Sequence, residues 1–258
     1  MRLAIRDLDV RFGDRQVVGI DELSIGAGEI VGLAGESGSG KSMTTLAVLG
    51  LAHTVGATVR GSITLDGTEL TSLSQGGLRD VRGRRIAAIF QSPSMSFNPV
   101  FRVGRVLHSA LRLHGMSKSD AAQAAEAAMR QVLLSPSLLD RYPLQLSGGQ
   151  LQRVAIAIAL ALRAEVLLAD EPTSALDVTV QAEVLELIRE LREREGMSVL
   201  FISHDLAVVA ELCDRVAIMR NGRIVEQGPA STVLSAPKDG YTADLLAAVP
   251  RIGPAERT

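Results

Sequence analysis

Eight residues near the start of the chain leave few folds open: Gly35-Glu36-Ser37-Gly38-Ser39-Gly40-Lys41-Ser42. They follow Glu29-Ile30-Val31-Gly32-Leu33-Ala34, an apolar run that reads as a buried strand, and precede Met43-Thr44-Thr45-Leu46-Ala47-Val48-Leu49, which reads as the first turns of a helix. Strand, glycine loop and helix in that order are the context of a phosphate-binding P-loop. The glycines let successive backbone N–H groups turn inward around a polyphosphate, and the helix N-terminus adds positive potential. Lys41 is placed to reach the β- and γ-phosphates and the Ser42 hydroxyl to ligate Mg²⁺. The stretch points to a nucleoside triphosphate as ligand; the alternative is a glycine-rich turn with a chance lysine.

The 258 residues suffice for one large α/β domain, with or without a small subdomain. A formal net charge of −2 gives no basic excess of the kind nucleic-acid partners select, and the dense cluster Arg79, Arg82, Arg84 and Arg85 reads as a solvated surface. The single Cys213, in an apolar helical stretch, excludes a disulfide framework or Cys₄ metal site within the chain and fits a reducing cytoplasm. Arg2, Arg6 and Asp7 interrupt the start, so no signal peptide is expected there. The longest purely apolar run, Val154 to Leu162, is far short of the roughly 20 residues a bilayer crossing needs. Membrane association is therefore expected only through a partner.

Leu3, Ile5, Leu8 and Val10 nearly alternate with polar residues and continue, after the turn Phe12-Gly13-Asp14, into Val17, Val18, Ile20, Leu23 and Ile25 as strands. Residues 61–70 read as a hairpin about Asp66-Gly67, and Asn221-Gly222 signals a second between Val216-Ala217-Ile218-Met219 and Ile224-Val225. These hairpin regions suggest a smaller antiparallel sheet near the nucleotide's base. Ile86 to Phe90, Glu165 to Asp170 and Met197 to Ser203 read as strands, the last running into His204. From about Val103 to Leu139 the pattern is helical, with Ser119-Asp120 as cap before the Ala-rich run. Val180, Val184, Ile188 and Leu191 share one helix face. A helical insertion at 91–140 lies within a helical subdomain of about 92–160, and the tail from about 231 to 258 is expected to be one helix and a frayed end. Alternating strands and helices around a P-loop imply an α/β fold with a mainly parallel sheet covered on both faces.

Asp170 and Glu171 close the strand Val166–Ala169, at the sheet edge where doubly wound folds place ligands. Asp170 is placed to hold the Mg²⁺ that Ser42 also ligates, and Glu171 to polarise an attacking water as general base. An acidic helix cap is the alternative. Leu146-Ser147-Gly148-Gly149-Gln150 precedes the helix Leu151-Gln152-Arg153-Val154-Ala155-Ile156 and offers a second glycine-opened helix N-terminus for an anion; a flexible cap before a core helix is the plainer reading.

The P-loop at Gly35–Ser42, Gln91 at a strand end, Leu146–Gln150, Asp170-Glu171, Ser174-Ala175-Leu176-Asp177 and His204 occur in the order of the ATP-binding-cassette (ABC) ATPases, and the chain resembles that family over essentially its whole length. The resemblance implies that ATP and Mg²⁺ are the cofactors and that the P-loop residues through Met43 bind nucleotide. It implies that Gln91 senses Mg²⁺ and γ-phosphate, and that His204 contacts γ-phosphate and orders the attacking water. Ser147, Gly148, Gly149 and Gln150 match the signature that meets the nucleotide of an opposite cassette, and Asp177 matches an aspartate crossing that dimer interface. Phe12 falls where the family stacks an aromatic on adenine, although a hydrophobic core or turn role explains one Phe nearly as well.

A narrower resemblance, to the peptide/nickel importer branch, lies in Phe90–Val100, Tyr142–Leu146, Ala175–Thr179, Ser203–Leu206 and the tail Pro237–Thr242 with Leu245-Leu246. Ser92 and Asp239-Gly240 depart from the branch pattern, and the Cys-rich extension of its long peptide-importing members is absent, which keeps a metal-complex substrate open. The resemblance implies a paired ABC ATPase subunit (identical or sister), permease subunits and, indirectly, an extracytoplasmic solute-binding protein, with no nucleic acid. The chain would sit at the cytoplasmic face of the cell membrane. An exporter ATPase, or a soluble cassette acting on nucleic acid or ribosomes, is the alternative.

Overall fold

The computed structural model describes residues 1–91, 96–174 and 176–248, so Ser92 to Met95, Ala175 and the last ten residues of the tail lie outside the described residues. Two sheets organise the chain. The smaller is antiparallel, built from β1 (Leu3–Phe12), β2 (Arg15–Ile25), β4 (Thr58–Leu65) and β5 (Thr68–Glu69) in the order β2-β1-β4-β5. The larger contains β3 (Ile30–Ala34), β6 (Ile86–Ile89), β7 (Val166–Asp170), β8 (Ser198–Ser203), β9 (Arg215–Arg220) and β10 (Arg223–Pro229) in the order β10-β9-β3-β8-β7-β6. Its pairings are parallel from β9 through β6, and β10 closes one edge antiparallel.

The strands of the parallel core are apolar on both faces, and alternate residues feed two different cores. Ile30, Leu167, Ala169, Val199, Phe201, Val216 and Ile218 pack with α5 (Gly148–Ala161), α6 (Val178–Glu195) and α7 (Leu206–Leu212). Val31, Leu33, Val166, Leu168, Leu200, Ile202, Ala217 and Met219 face the other way, onto α1 (Lys41–Val48) and the inner face of the antiparallel sheet, with Leu3, Ile5, Ile20 and Ile63. Between β6 and β7 run the helices α3 (Val103–Leu113) and α4 (Lys118–Gln131), whose Leu107, Leu111, Ala121 and Ala125 form a small core of their own. A further helix, α2 (Gln75–Val81), precedes β6.

Several expectations need correction. The Asn221-Gly222 hairpin is real, with both turn residues at positive φ, but it is β9–β10 and belongs to the large sheet, because β9 pairs with β3. It meets the small sheet through β2: Gly19 N–H donates to Gly222 O at 2.7 Å, and Gln227 of β10 and Arg215 of β9 donate to the Glu22 and Ser24 carbonyls at 3.3 and 3.2 Å. The cap of α4 is Ser117, whose hydroxyl accepts from Asp120 N–H at 3.2 Å, rather than Ser119-Asp120. The tail forms two short helices, α8 (Ala230–Ser235) and α9 (Gly240–Ala247), not one. The arginine cluster is not simply solvated: Arg82 Nε donates to Leu49 O at 2.7 Å, and Arg84 Nη2 donates to His114 O at 3.0 Å. Arg85 bridges Glu165 at 2.9 Å and Asp66 at 2.7 Å. Arg2 meets the same two carboxylates, so this network pins the Asp66 turn of the small sheet to the foot of β7. Cys213 is buried, and burial pushes its thiol well above the usual range.

Candidate functional site

The C-terminal ends of β3, β7 and β8 lie side by side, so the loops that leave them converge on one edge. The loop after β3 is the glycine stretch. Its first glycine is obligatory: Gly35 has φ +151°, and a Cβ there would stand 2.1 Å from the Met219 carbonyl oxygen of β9. The loop ends at Gly40, which enters α1 in the left-handed region with no side chain capping the helix, so the first-turn N–H groups stay available to an anion. Lys41 is 5% exposed and folds back over the loop, its Nζ donating to Gly35 O and Glu36 O at 2.8 Å each. Burial pushes its ammonium below the usual value, while the carboxylates of Glu171, Asp170 and Glu36 push back.

A cavity of about 670 Å³ opens over this loop. It brings together Phe12 at the end of β1 and Gly35, Glu36, Ser37, Gly38, Gly40, Lys41, Ser42 and Met43 from the loop and α1, with Gln91, Glu171 and His204 at its far wall. Ser39 lies beneath, buried, with its carbonyl accepting from Gly222 N–H at 2.9 Å. Glu171 is the hub of the far wall. Gln91 Nε2 donates to its Oε2 at 2.7 Å, and His204 Nδ1 lies 3.2 Å from its Oε1. Glu171 also takes a left-handed backbone, φ +48°, unusual for a non-glycine residue and fixed by its N–H donating to Ile202 O at 2.9 Å. The acidic pair caps no helix, since α6 begins only at Val178.

Asp170 is 3% exposed, and its Oδ1 has no hydrogen-bond partner. Burial pushes its carboxyl up; a hydrogen bond from Ser42 works against the rise, the Glu171 charge adds to it and the Lys41 charge opposes it. A buried carboxylate oxygen left unpaired beside a serine hydroxyl fits a hard divalent cation whose other ligands come from phosphates and water. No group of three or more His, Cys, Asp or Glu side chains forms a self-sufficient metal cage among the described residues.

The Leu146–Gln150 residues and Asp177 do not join this cavity. Ser147 caps α5, its hydroxyl accepting from Gln150 N–H at 3.2 Å while the Gln150 side chain accepts from Ser147 N–H at 3.0 Å. Gly149 lets α5 meet α6, since a Cβ there would fall 2.3 Å from Val180 Cγ1. Asp177 caps α6 by accepting from Val180 N–H at 3.0 Å. The cap reading of the Ser147 segment is therefore correct for the single chain. A larger cavity, about 830 Å³, lies along α3 and α4 with Arg105, His108, Arg112 and Lys118 in its walls, and none of the motif residues reaches it. Sequence reasoning missed Val17 and Leu245, which line the P-loop cavity, and Tyr241, whose hydroxyl accepts from Glu36 N–H at 3.2 Å. The i, i+4 spacing of Tyr241 and Leu245 was the available signal that both share one helix face.

Residues 20–174 match the ABC transporter family. The chain belongs to that family. Among curated proteins this ABC cassette is 44% identical, over 96% of its length and 76% of the relative's, to "Probable peptide ABC transporter ATP-binding protein y4tR" of Sinorhizobium fredii. It is 48% identical to the glutathione import ATP-binding protein GsiA of Salmonella typhimurium over 90% of its length, and spans 38% of that longer protein. Among solved structures, the cassette MJ0796 in a dimeric post-hydrolysis state with ADP and Pi superposes with TM-score 0.76 at 27% identity, over 88% of this chain and 98% of that one. The cbiO1 subunit of Clostridium perfringens, part of the cbiONQ transporter complex, gives TM-score 0.79 at 25% identity, over 97% and 96%. No helix among the described residues is long and apolar enough to cross a membrane.

Proposed function

We propose that the chain is the ATP-hydrolysing subunit that energises a membrane importer of peptide-type substrates. The observation that carries the reading is Glu171, held at the far wall of the P-loop cavity by Gln91 and His204 with the Lys41 loop opposite. On binding, the Lys41 ammonium exchanges the Gly35 and Glu36 carbonyls for β- and γ-phosphate oxygens, and the α1 N-terminus adds N–H donors. Phe12, 37% exposed in the cavity wall, offers its ring to the adenine. Ser42 and Asp170, with Gln91 beside them, would hold Mg²⁺, which would supply positive charge against that developing on the phosphates. Water attacks the γ-phosphorus, its proton passes to the Glu171 carboxylate, and the bond to ADP breaks; His204 orients the water.

The Ser147, Gly148, Gly149 and Gln150 helix tip and Asp177 are assigned to a second cassette's nucleotide. Their exclusion from the chain's own cavity, and the dimeric form of the MJ0796 cassette, support that assignment. The paired cassette is identical or a sister subunit, and the segment 91–101 couples closure to permease subunits at the cytoplasmic face. A solute-binding protein delivers the cargo on the far side. The peptide arm is preferred to the nickel arm because the relatives named above carry peptide and glutathione in their names. The deciding experiment replaces Glu171 by Gln in the intact complex: ATP binding retained with turnover lost supports the reading, whereas unchanged turnover removes Glu171 from the base role.

A further inference from the structure

The helix α9 stands against the P-loop although 205 residues separate Tyr241 from Glu36. It is built to hold that position. Asp239 caps it by accepting from Tyr241 N–H at 2.9 Å, and Glu226 of β10 accepts from the N–H groups of Lys238 and Asp239 at 2.9 and 3.2 Å. The Tyr241 ring is 7% exposed, with the Arg220 guanidinium 4.6 Å from its centroid. The contact falls on one peptide unit. The Gly35–Glu36 amide gives its N–H to the Tyr241 hydroxyl, and its C=O, Gly35 O, accepts from Lys41 Nζ. A trans peptide is planar with N–H and C=O on opposite sides, so fixing one end fixes the direction of the other. One turn further along α9, Leu245 lines the nucleotide cavity together with Phe12 and Val17.

We propose that α9 is a wall of the nucleotide site, with Tyr241 as a positioning residue that sets the peptide plane beneath Lys41 and Leu245 as an apolar contact for the nucleoside. The inference rests on the nucleotide-site reading above. The Tyr241 hydroxyl touches no substrate; it acts by keeping the loop in its phosphate-accepting shape. Leu245 acts on the nucleoside end alone.

The test measures binding of ATP and of inorganic tripolyphosphate, both with Mg²⁺, to the full chain and three variants, alongside melting temperature. Tyr241→Phe keeps the ring and removes one hydrogen bond, so both ligands should weaken, roughly three- to tenfold. Leu245→Ala should weaken ATP by about fivefold, with tripolyphosphate unaffected. Wild-type affinities in Tyr241→Phe, with or without a lowered melting temperature, would overturn the positioning role. Equal loss of both ligands in Leu245→Ala, or no loss of ATP, would overturn the nucleoside contact. Lys41→Ala separates the two levels: if it retains both ligands the nucleotide-site reading itself fails, and if it loses both while the α9 variants match wild type, only the α9 inference falls.

Discussion

The Gln91 side-chain amide donates to Glu171 Oε2 at 2.7 Å, joining the end of β6 to the end of β7 at the far wall of the P-loop cavity. The bond places a neutral donor on the carboxylate proposed as the general base, while the other oxygen faces His204. Gln91 on one oxygen and His204 beside the other together fix the rotamer of the carboxylate. Gln91→Ala should therefore lower kcat about tenfold with a smaller change in KM for ATP, through lost orientation rather than lost chemistry. Glu171→Gln should cost about 10² to 10⁴ in kcat and leave ATP binding intact. Steady-state phosphate release and equilibrium nucleotide binding separate the two.

Lys41→Ala should weaken ATP about 10- to 100-fold, the range of a hydrogen bond to a charged group. Lys41→Arg should not restore it, because a planar guanidinium cannot take the place of a buried ammonium between two carbonyls. Fluorescent-nucleotide titration gives the answer.

Gly149→Ala should destabilise the chain by about 1–3 kcal/mol, because its Cβ would enter the space of Val180 Cγ1. Adding Val180→Ala should recover part of that loss. Urea denaturation of the single and double variants measures the recovery, and full additivity would show that the two positions do not touch.

Ser147→Arg should abolish hydrolysis in a homodimer and leave single-chain ATP affinity near wild type, since Ser147 does not line its own nucleotide cavity. The lost cap should also cost about 1 kcal/mol of stability. Loss of nucleotide binding by the isolated chain would show instead that this segment acts within one cassette.

Glu69 supplies a pH-dependent element of stability remote from the site. Burial works against its charge, but hydrogen bonds from the Ser62 and Thr71 hydroxyls and from the Ile63 and Thr71 N–H groups outweigh it, bringing the carboxyl down to about 2. A folded value below the ordinary one means the unfolded chain binds the proton more readily. The contribution is thus complete above about pH 4.5 and fades as pH falls toward 2. Glu69→Gln should flatten the stability curve across that window in acid-titrated urea melts.

The P-loop strand and helix were readable because their signal is local: five apolar residues, a glycine loop, then a helix beginning at Lys41. The acidic strand end at Asp170-Glu171 was readable for the same reason. Pairing was not. Asn221-Gly222 announces a hairpin, but only the β9–β3 register, Val31 opposite Arg215, decides which sheet receives it. The cap at Ser117 was open to sequence reasoning through its spacing to Asp120, yet Ser119 offered an equal hydroxyl next door. Phe12, Gln91 and His204 converge with the loop because three strand ends meet; no spacing in the sequence encodes that distance. Tyr241 and Leu245 were the hardest to see, since tail residues give no hint that their helix packs on a loop folded some two hundred residues earlier.

The strand that carries the P-loop is flanked by β8 and β9, so Val31 finds its partners only at Leu200 and Arg215. A ribosome making this chain emits the phosphate loop early and its neighbours late. At roughly 5–20 residues per second, the interval amounts to about ten to forty seconds of translation. During that time β3 is an unpaired apolar edge, the kind of surface that chaperones shield. Nucleotide binding thereby becomes a property of the finished polypeptide, and fragments cut anywhere before β9 should be inert.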